Sequence, residues 1–183
     1  MTRTRFGKKL HKTFKRFGLS QSGAATVELV IIFPFFLGVF LSSYDVAIMN
    51  MRAVMLEQAM DKAVRRIRIS SGAVIDYNTV VTDICEDAFL IPDCQNAMRL
   101  EMSAVDKTTW TGITGAIDCV DRTATIQPVV RWENGSDNEL MLIRACVVVD
   151  PVFAGIGVGR SMPKDASGGY RVSASSAFVN EPL

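Results

Sequence analysis

The sequence predicts an α+β fold in which one long N-terminal helix packs on a small antiparallel sheet. Three observations carry that expectation. Residues 24–41 form an apolar run of 18 positions with a single charge, Glu28. After it, apolar side chains recur every three or four residues as far as Ile67, with no Gly or Pro between Gly38 and Gly72. Beyond residue 98 the pattern changes to short β-rich runs separated by turn residues. The 183 residues suffice for one ordinary domain and a membrane anchor.

The net charge of +1 conceals an asymmetry. Residues 1–23 carry Arg3, Arg5, Lys8, Lys9, Lys12, Lys15 and Arg16 and no acid, leaving 13 basic and 19 acidic residues in 24–183, a net of −6. A basic segment directly before an apolar run reads as a cytoplasmic flank, because positive charge is retained on that side. No basic stripe follows the run, so nucleic acid is not an expected partner.

The apolar run, as a helix, measures about 27 Å at ~1.5 Å per residue, against a hydrocarbon core of roughly 30 Å. Its centre is Val30, Ile31, Ile32, Phe33, Pro34, Phe35, Phe36 and Leu37, and Ser42, Ser43 and Tyr44 extend it to the far interface. The run is too long for an ordinary secretory signal, and Leu41-Ser42-Ser43 is a poor cleavage site for one. The expected organisation is a cytoplasmic leader over 1–23, a transmembrane segment over 24–44 in contact with the lipid bilayer, and an external α+β domain over 45–183.

The helix is expected to continue past the membrane to about residue 70. Met49, Ala53, Leu56, Met60, Ala63 and Ile67 make one apolar stripe, while Arg52, Glu57, Asp61, Lys62 and Arg65 cover the other faces. Pro34 removes one backbone hydrogen bond and is expected to kink the helix. Ser70-Ser71-Gly72 ends it. A second helix is expected over about 77–90, capped by Asp76 or Asn78, with Val80, Val81, Ile84 and Ala88 on its apolar face and Pro92 as its stop. Strands are expected over 98–105, 123–132, 139–150 and 170–180. The second of these alternates Ala124, Ile126, Val130 and Trp132, with Pro128 marking it as an edge or bulged strand. The turn-rich residues 133–138 are expected to join it to 139–150 as a hairpin. Residues 152–169 read as a loop.

All four cysteines, Cys85, Cys94, Cys119 and Cys146, fall on the external side, where an even number suggests two disulfides. Of three possible pairings, the short Pro92-containing loop favours Cys85 with Cys94, and Cys119 with Cys146 by remainder. A zinc site is disfavoured because no C-x-x-C pair occurs.

Catalytic chemistry finds little support. The only histidine, His11, is in the leader, so the rest of the chain has none for a triad or a zincin site. No G-x-S-x-G or P-loop occurs. Asp83, Glu86 and Asp87 read as a solvated helix face. Gly155-x-Gly157-x-Gly159 follows a strand, but Pro163 and Gly168-Gly169 deny the helix that dinucleotide binding requires. Its neighbours Val152, Phe153, Ile156 and Val158 leave a partner or membrane contact as a minor reading. Asn134, Ser136, Asp137, Asn138 and Glu139 read as a turn rather than a calcium loop. Met49, Met51, Met55 and Met60 read as packing residues. Gly38 with Ser42 is a small pair that lets helices approach. No catalytic residue, metal or cofactor is expected.

Glu28 is therefore the residue that asks for an explanation, since a carboxylate in a membrane-length segment is unfavourable. It is the fifth residue counted from Ala24, directly after Gly23. Basic leader, Gly-Ala junction, glutamate at five, apolar run and long amphipathic helix together resemble the type IV pilin-like proteins. GAATVELVIIFPFFLGVF and a C-terminal SSAFVNEPL, with Glu181-Pro182 near its end, resemble more narrowly the TadE/TadF-type minor pseudopilins of the tight-adherence (Tad or Flp) pilus. That resemblance implies a pilin-like fold and cleavage between Gly23 and Ala24 by a prepilin peptidase. It also implies residence in the bacterial inner membrane, or entry into the pilus, with the C-terminal domain periplasmic. Its partners would be other minor pseudopilins, the major Flp pilin and the inner-membrane assembly platform. The large cysteine-bearing domain is unlike the very short major pilin, which favours a minor role in initiating or assembling the pilus. The alternative is an uncleaved single-pass scaffold or sensor subunit of an envelope complex.

Overall fold

The computed structural model describes residues 23–70, 74–111, 115, 117–127 and 129–181. Helix α1 spans Ala24–Ile69, 46 residues, or roughly 69 Å at ~1.5 Å per residue. Gly23 is its N-cap, and Pro34 lies inside it. Ser70 closes it, its amide donating to the carbonyls of Arg66 and Ile67 and its hydroxyl donating to Arg66 O. Ser71 and Gly72 lie outside the described residues.

Only the second half of α1 joins the domain, for the reason its periodicity gives. Leu56, Met60, Ala63 and Ile67 of the apolar stripe are buried, with Ala59 and Val64 beside them, and Met49 and Ala53 pack at the margin. Helix α2, Tyr77–Asp87, lies against α1. Asp76 is its cap, accepting the Thr79 amide at 3.1 Å. Val80, Val81 and Ile84 face the core. The helix stops at Asp87 rather than about 90, with buried Ala88 at its C-cap. There the chain turns into a one-turn helix α3, Cys94–Ala97, entered through Asp93 in the left-handed conformation (φ 48°).

Three strands form one antiparallel sheet in the order β1-β2-β3: β1 Met98–Ala104, β2 Leu140–Val149 and β3 Tyr170–Val179. The central strand pairs Cys146 with Arg99 on one side and Ser173 on the other. Residues Ala145 to Val149 of β2 are all buried, as a strand covered on both edges and faces should be. The α+β layout of a long helix on a small antiparallel sheet is thus as expected. Ion pairs fasten the helices: Lys62 to Asp87 at 2.8 Å and Arg66 to Asp83 at 2.7 Å. The acidic face of α2 is thereby matched to the basic face of α1, where a merely solvated face was expected.

One strand of the expected sheet does not form. Residues 123–132 make no hairpin with 140–149, because both edges of β2 are occupied, by β1 and β3. Local polar bonds hold the earlier part of this segment instead. Gln127 donates to the carbonyls of Asp121 and Ala124, and the Asp121 carboxylate accepts from the Thr123 amide. Side-chain bonds of this kind compete with a ladder. Ile126 and Val129 are accordingly exposed. Residues 131–133 approach the sheet, in a parallel bridge from Trp132 to Met102 on the outer edge of β1. The Trp132 indole donates to Ile75 O at 2.9 Å and stands edge-on to Tyr77 at 5.3 Å. The segment 152–169, expected as a loop, contains a one-turn helix α4, Gly157–Ser161.

Candidate assembly site on the exposed helix

The first half of α1 leaves the domain altogether. Every residue from Gly23 to Phe40 is exposed. The segment's centre, Val30, Ile31, Ile32, Phe33, Phe35, Phe36 and Leu37, ranges from 39% exposed at Leu37 to 76% at Phe35. Pro34 is exposed among them. An apolar surface of this extent is not stable in water and requires lipid or other helices around it. The helix is long and apolar enough to cross a membrane, and none of its most apolar stretch is buried in the protein, which distinguishes it from an ordinary core helix. It is a candidate membrane span.

Glu28 sits just past the first turn of this exposed helix and forms no ion pair among the described residues. Near a helix N-terminus a carboxylate faces the positive end of the dipole. Ala24 lies four residues earlier, on the same face of the helix. The leader before Gly23, including the basic residues and His11, lies outside the described residues.

At the other end of the span, polar groups are satisfied locally. The hydroxyls of Ser42 and Ser43 donate to the carbonyls of Gly38 and Val39, each at 2.8 Å. Hydroxyls bonded back to the preceding turn present little polarity outward. Gly38 leaves an open notch, so the small pair Gly38 and Ser42 borders a groove on the helix.

The junction between the exposed stretch and the domain is built on Asp45, which no sequence motif marks. Asp45 is 1% exposed. Its Oδ1 accepts the amides of Val152 at 3.0 Å and Phe153 at 3.3 Å, while Oδ2 has no hydrogen-bond partner among the described residues. The signal in the sequence is slight: Asp45 precedes Met49 by four and so lies in phase with the apolar stripe. Arg52, two turns on, donates to Leu90 O at 3.2 Å, Asp150 O at 2.9 Å and the Tyr170 hydroxyl at 3.0 Å. Two residues of α1 thus fix the helix to the segments that follow α2 and β2.

The domain itself is stapled. Cys85 joins Cys94 with Cα atoms 5.6 Å apart, and Cys119 joins Cys146 at 5.2 Å, the pairing the spacing favours. The second bond holds the long connection 105–139 to the central strand. Arg122 on that connection grips Asp150 through two hydrogen bonds, 2.7 and 3.1 Å, and holds its carboxyl below the usual carboxylate range. The oxygen-rich segment 134–139 is a turn bonded to backbone: Asn134 accepts from Ile75 N and Glu139 from Ser136 N.

Comparison with known families gives a match over part of the chain. Residues 23–65 fit the family model described as TadE-like protein. The match begins at Gly23 and runs through the exposed span into the packed half of α1, which bears out the family resemblance. No curated protein and no solved structure matches the chain.

Proposed function

We propose that this chain, TadE-like over residues 23–65, is a minor pseudopilin that takes part in initiating or assembling a tight-adherence pilus. It is not an enzyme. A prepilin peptidase cuts it after Gly23, and the new N-terminus at Ala24 remains on the cytoplasmic side of the inner membrane. The domain from about residue 45 lies in the periplasm. Its partners are other minor pseudopilins, the major Flp pilin and the assembly platform.

The observation that carries this reading is Glu28, exposed on a bare apolar helix at the fifth position from Ala24. In one subunit it is a carboxylate that lipid solvates poorly. In a bundle, the α-ammonium of Ala24 on a neighbour can pair with it. At ~4 Å and an effective dielectric of about 20, the attraction is ~4 kcal/mol before desolvation. That gain exists only when neighbours are in register, so the charge sets register more than it raises affinity.

The test is Glu28→Ala. The variant inserts into the membrane at the level of the unsubstituted protein, yet incorporates less into pili and pseudopilin complexes, as measured by crosslinking and co-purification. Normal piliation and normal complex recovery in that variant would count against a register role.

A further inference from the structure

The glycine-bearing loop between β2 and β3 reaches back to α1 where the helix leaves its exposed stretch. Gly157, at φ 57°, lies so close to Ser42 that a Cβ there would overlap the serine hydroxyl. A Cβ on Gly159 would collide with Asp45 Oδ2 and Phe153 O. Glycine at both positions permits the contact, and the Asp45 carboxylate holds the loop by its Val152 and Phe153 amides. The loop is thereby locked at a fixed height on the helix. Gly157 and Val158 share a groove with Pro34, Phe35, Gly38 and Val39, so the loop lies alongside the last turns of the span.

What this locked loop presents outward is apolar. Val152 is 45% exposed and Ile156 47%. Tyr44, also exposed, leans on Phe153 with ring centroids 6.1 Å apart. Residues 151–164 contain no acid and two cations, Arg160 and Lys164, the latter donating to Ala154 O at 3.0 Å. An apolar tip with an aromatic partner and flanking cations is the composition of a segment seated at the boundary of acyl chains and phosphate headgroups, where amphipathic elements sink roughly 5–10 Å.

We propose that residues 152–160 are a second membrane contact, an interfacial loop that enters the outer boundary of the same bilayer α1 crosses. The occupant of the exposed apolar surface is lipid, because the surface is continuous with the span and its flanking charge suits phosphate. The loop fixes the tilt and height of the domain above the membrane, which a single helix could not do. This inference rests on the reading of residues 24–44 as a membrane span.

The experiment places tryptophan at Ile156, at Val152 as a second loop position, and at Phe36 as a span reference, in the full chain. Each variant is reconstituted into phosphatidylethanolamine–phosphatidylglycerol vesicles carrying bromine at shallow or deep acyl positions. Emission is read as the difference from the unsubstituted protein, with both disulfides verified by mass. The proposal expects Ile156→Trp and Val152→Trp to lose most of their added emission to shallow bromines, and Phe36→Trp to deep ones. Quenching of Phe36→Trp alone, with both loop tryptophans open to aqueous iodide, overturns the loop and leaves the span. Loop tryptophans shielded from both quenchers, with shielding lost on dilution into excess lipid, also overturn it and assign the surface to a neighbouring subunit. An unquenched Phe36→Trp overturns the span reading and the loop with it.

Discussion

Asp45 and Glu28 are two carboxylates on one helix in opposite circumstances. Asp45 is enclosed by its own domain and accepts two backbone amides, whereas Glu28 is fully outside it. Asp45→Ala leaves the amides of Val152 and Phe153 without their acceptor in a closed site, a loss of about 1–3 kcal/mol. Thermal unfolding of the detergent-solubilised protein is expected to report that loss as a lower midpoint, with Asp45→Asn intermediate because one acceptor oxygen survives. An unchanged midpoint in Asp45→Ala would show that the loop is held by packing alone. Glu28→Ala is expected to leave the same midpoint unmoved, because Glu28 is exposed and forms no ion pair among the described residues. Glu28 was legible in the sequence because a charge in an apolar run is conspicuous. Asp45 was not, since it lies just past the run among ordinary polar residues and only its phase with Met49 and Leu56 betrays it.

At the scale of elements, periodicity located what periodicity can locate. The apolar stripe from Met49 to Ile67 became the buried face of α1, and Asp76 became the cap of α2 as its side chain allows. Runs such as Leu140–Val149, continuously buried from Ala145 onward, gave strands within a residue of the expected bounds. Residues 123–132 failed because alternation says which face a segment could bury and not whether a neighbour has a free edge. The bonds of Asp121 and Gln127 are local and specific and leave no periodic trace. Gly157 and Gly159 likewise mark a close approach to Ser42 and Asp45, on a helix more than a hundred residues earlier, which no local pattern encodes. The disulfides staple the elements unequally. Cys119–Cys146, with 27 residues of separation, is worth about 3.6 kcal/mol by loop-closure entropy, against about 2.7 for Cys85–Cys94 with a separation of 9. Denaturant unfolding of the Cys119→Ser/Cys146→Ser pair variant is therefore expected to show the larger loss. The reverse order would place most of the constraint in the α2–α3 turn.

The whole molecule is a rod with a domain packed along one half, and its charges sit where that division places them. Hydrogen bonds from Lys62 to Asp87, from Thr108 to Asp106, from Thr123 to Asp121 and from Arg122 to Asp150 hold these carboxyls below their ordinary values. A carboxyl whose value is depressed by folding adds stability above its unfolded value, and that stability disappears as pH falls through the folded one. The domain is expected to keep its midpoint from neutral pH down to about 4 and to lose it below. Asp106, Asp121 and Asp150 are exposed and Asp87 partly so, and the decline should therefore be gradual. Loss of midpoint already between pH 6 and 5 would point to a different titrating group. The bare half of the rod is a candidate membrane span, and everything proposed for it depends on where the mature chain begins. Intact-mass measurement of the membrane-extracted protein from peptidase-competent cells tests this most directly. The account predicts a chain lacking residues 1–23 with Ala24 at its N-terminus, and a full-length chain when Gly23 is replaced by a bulky residue. A full-length mass for the unsubstituted protein in those cells would contradict it.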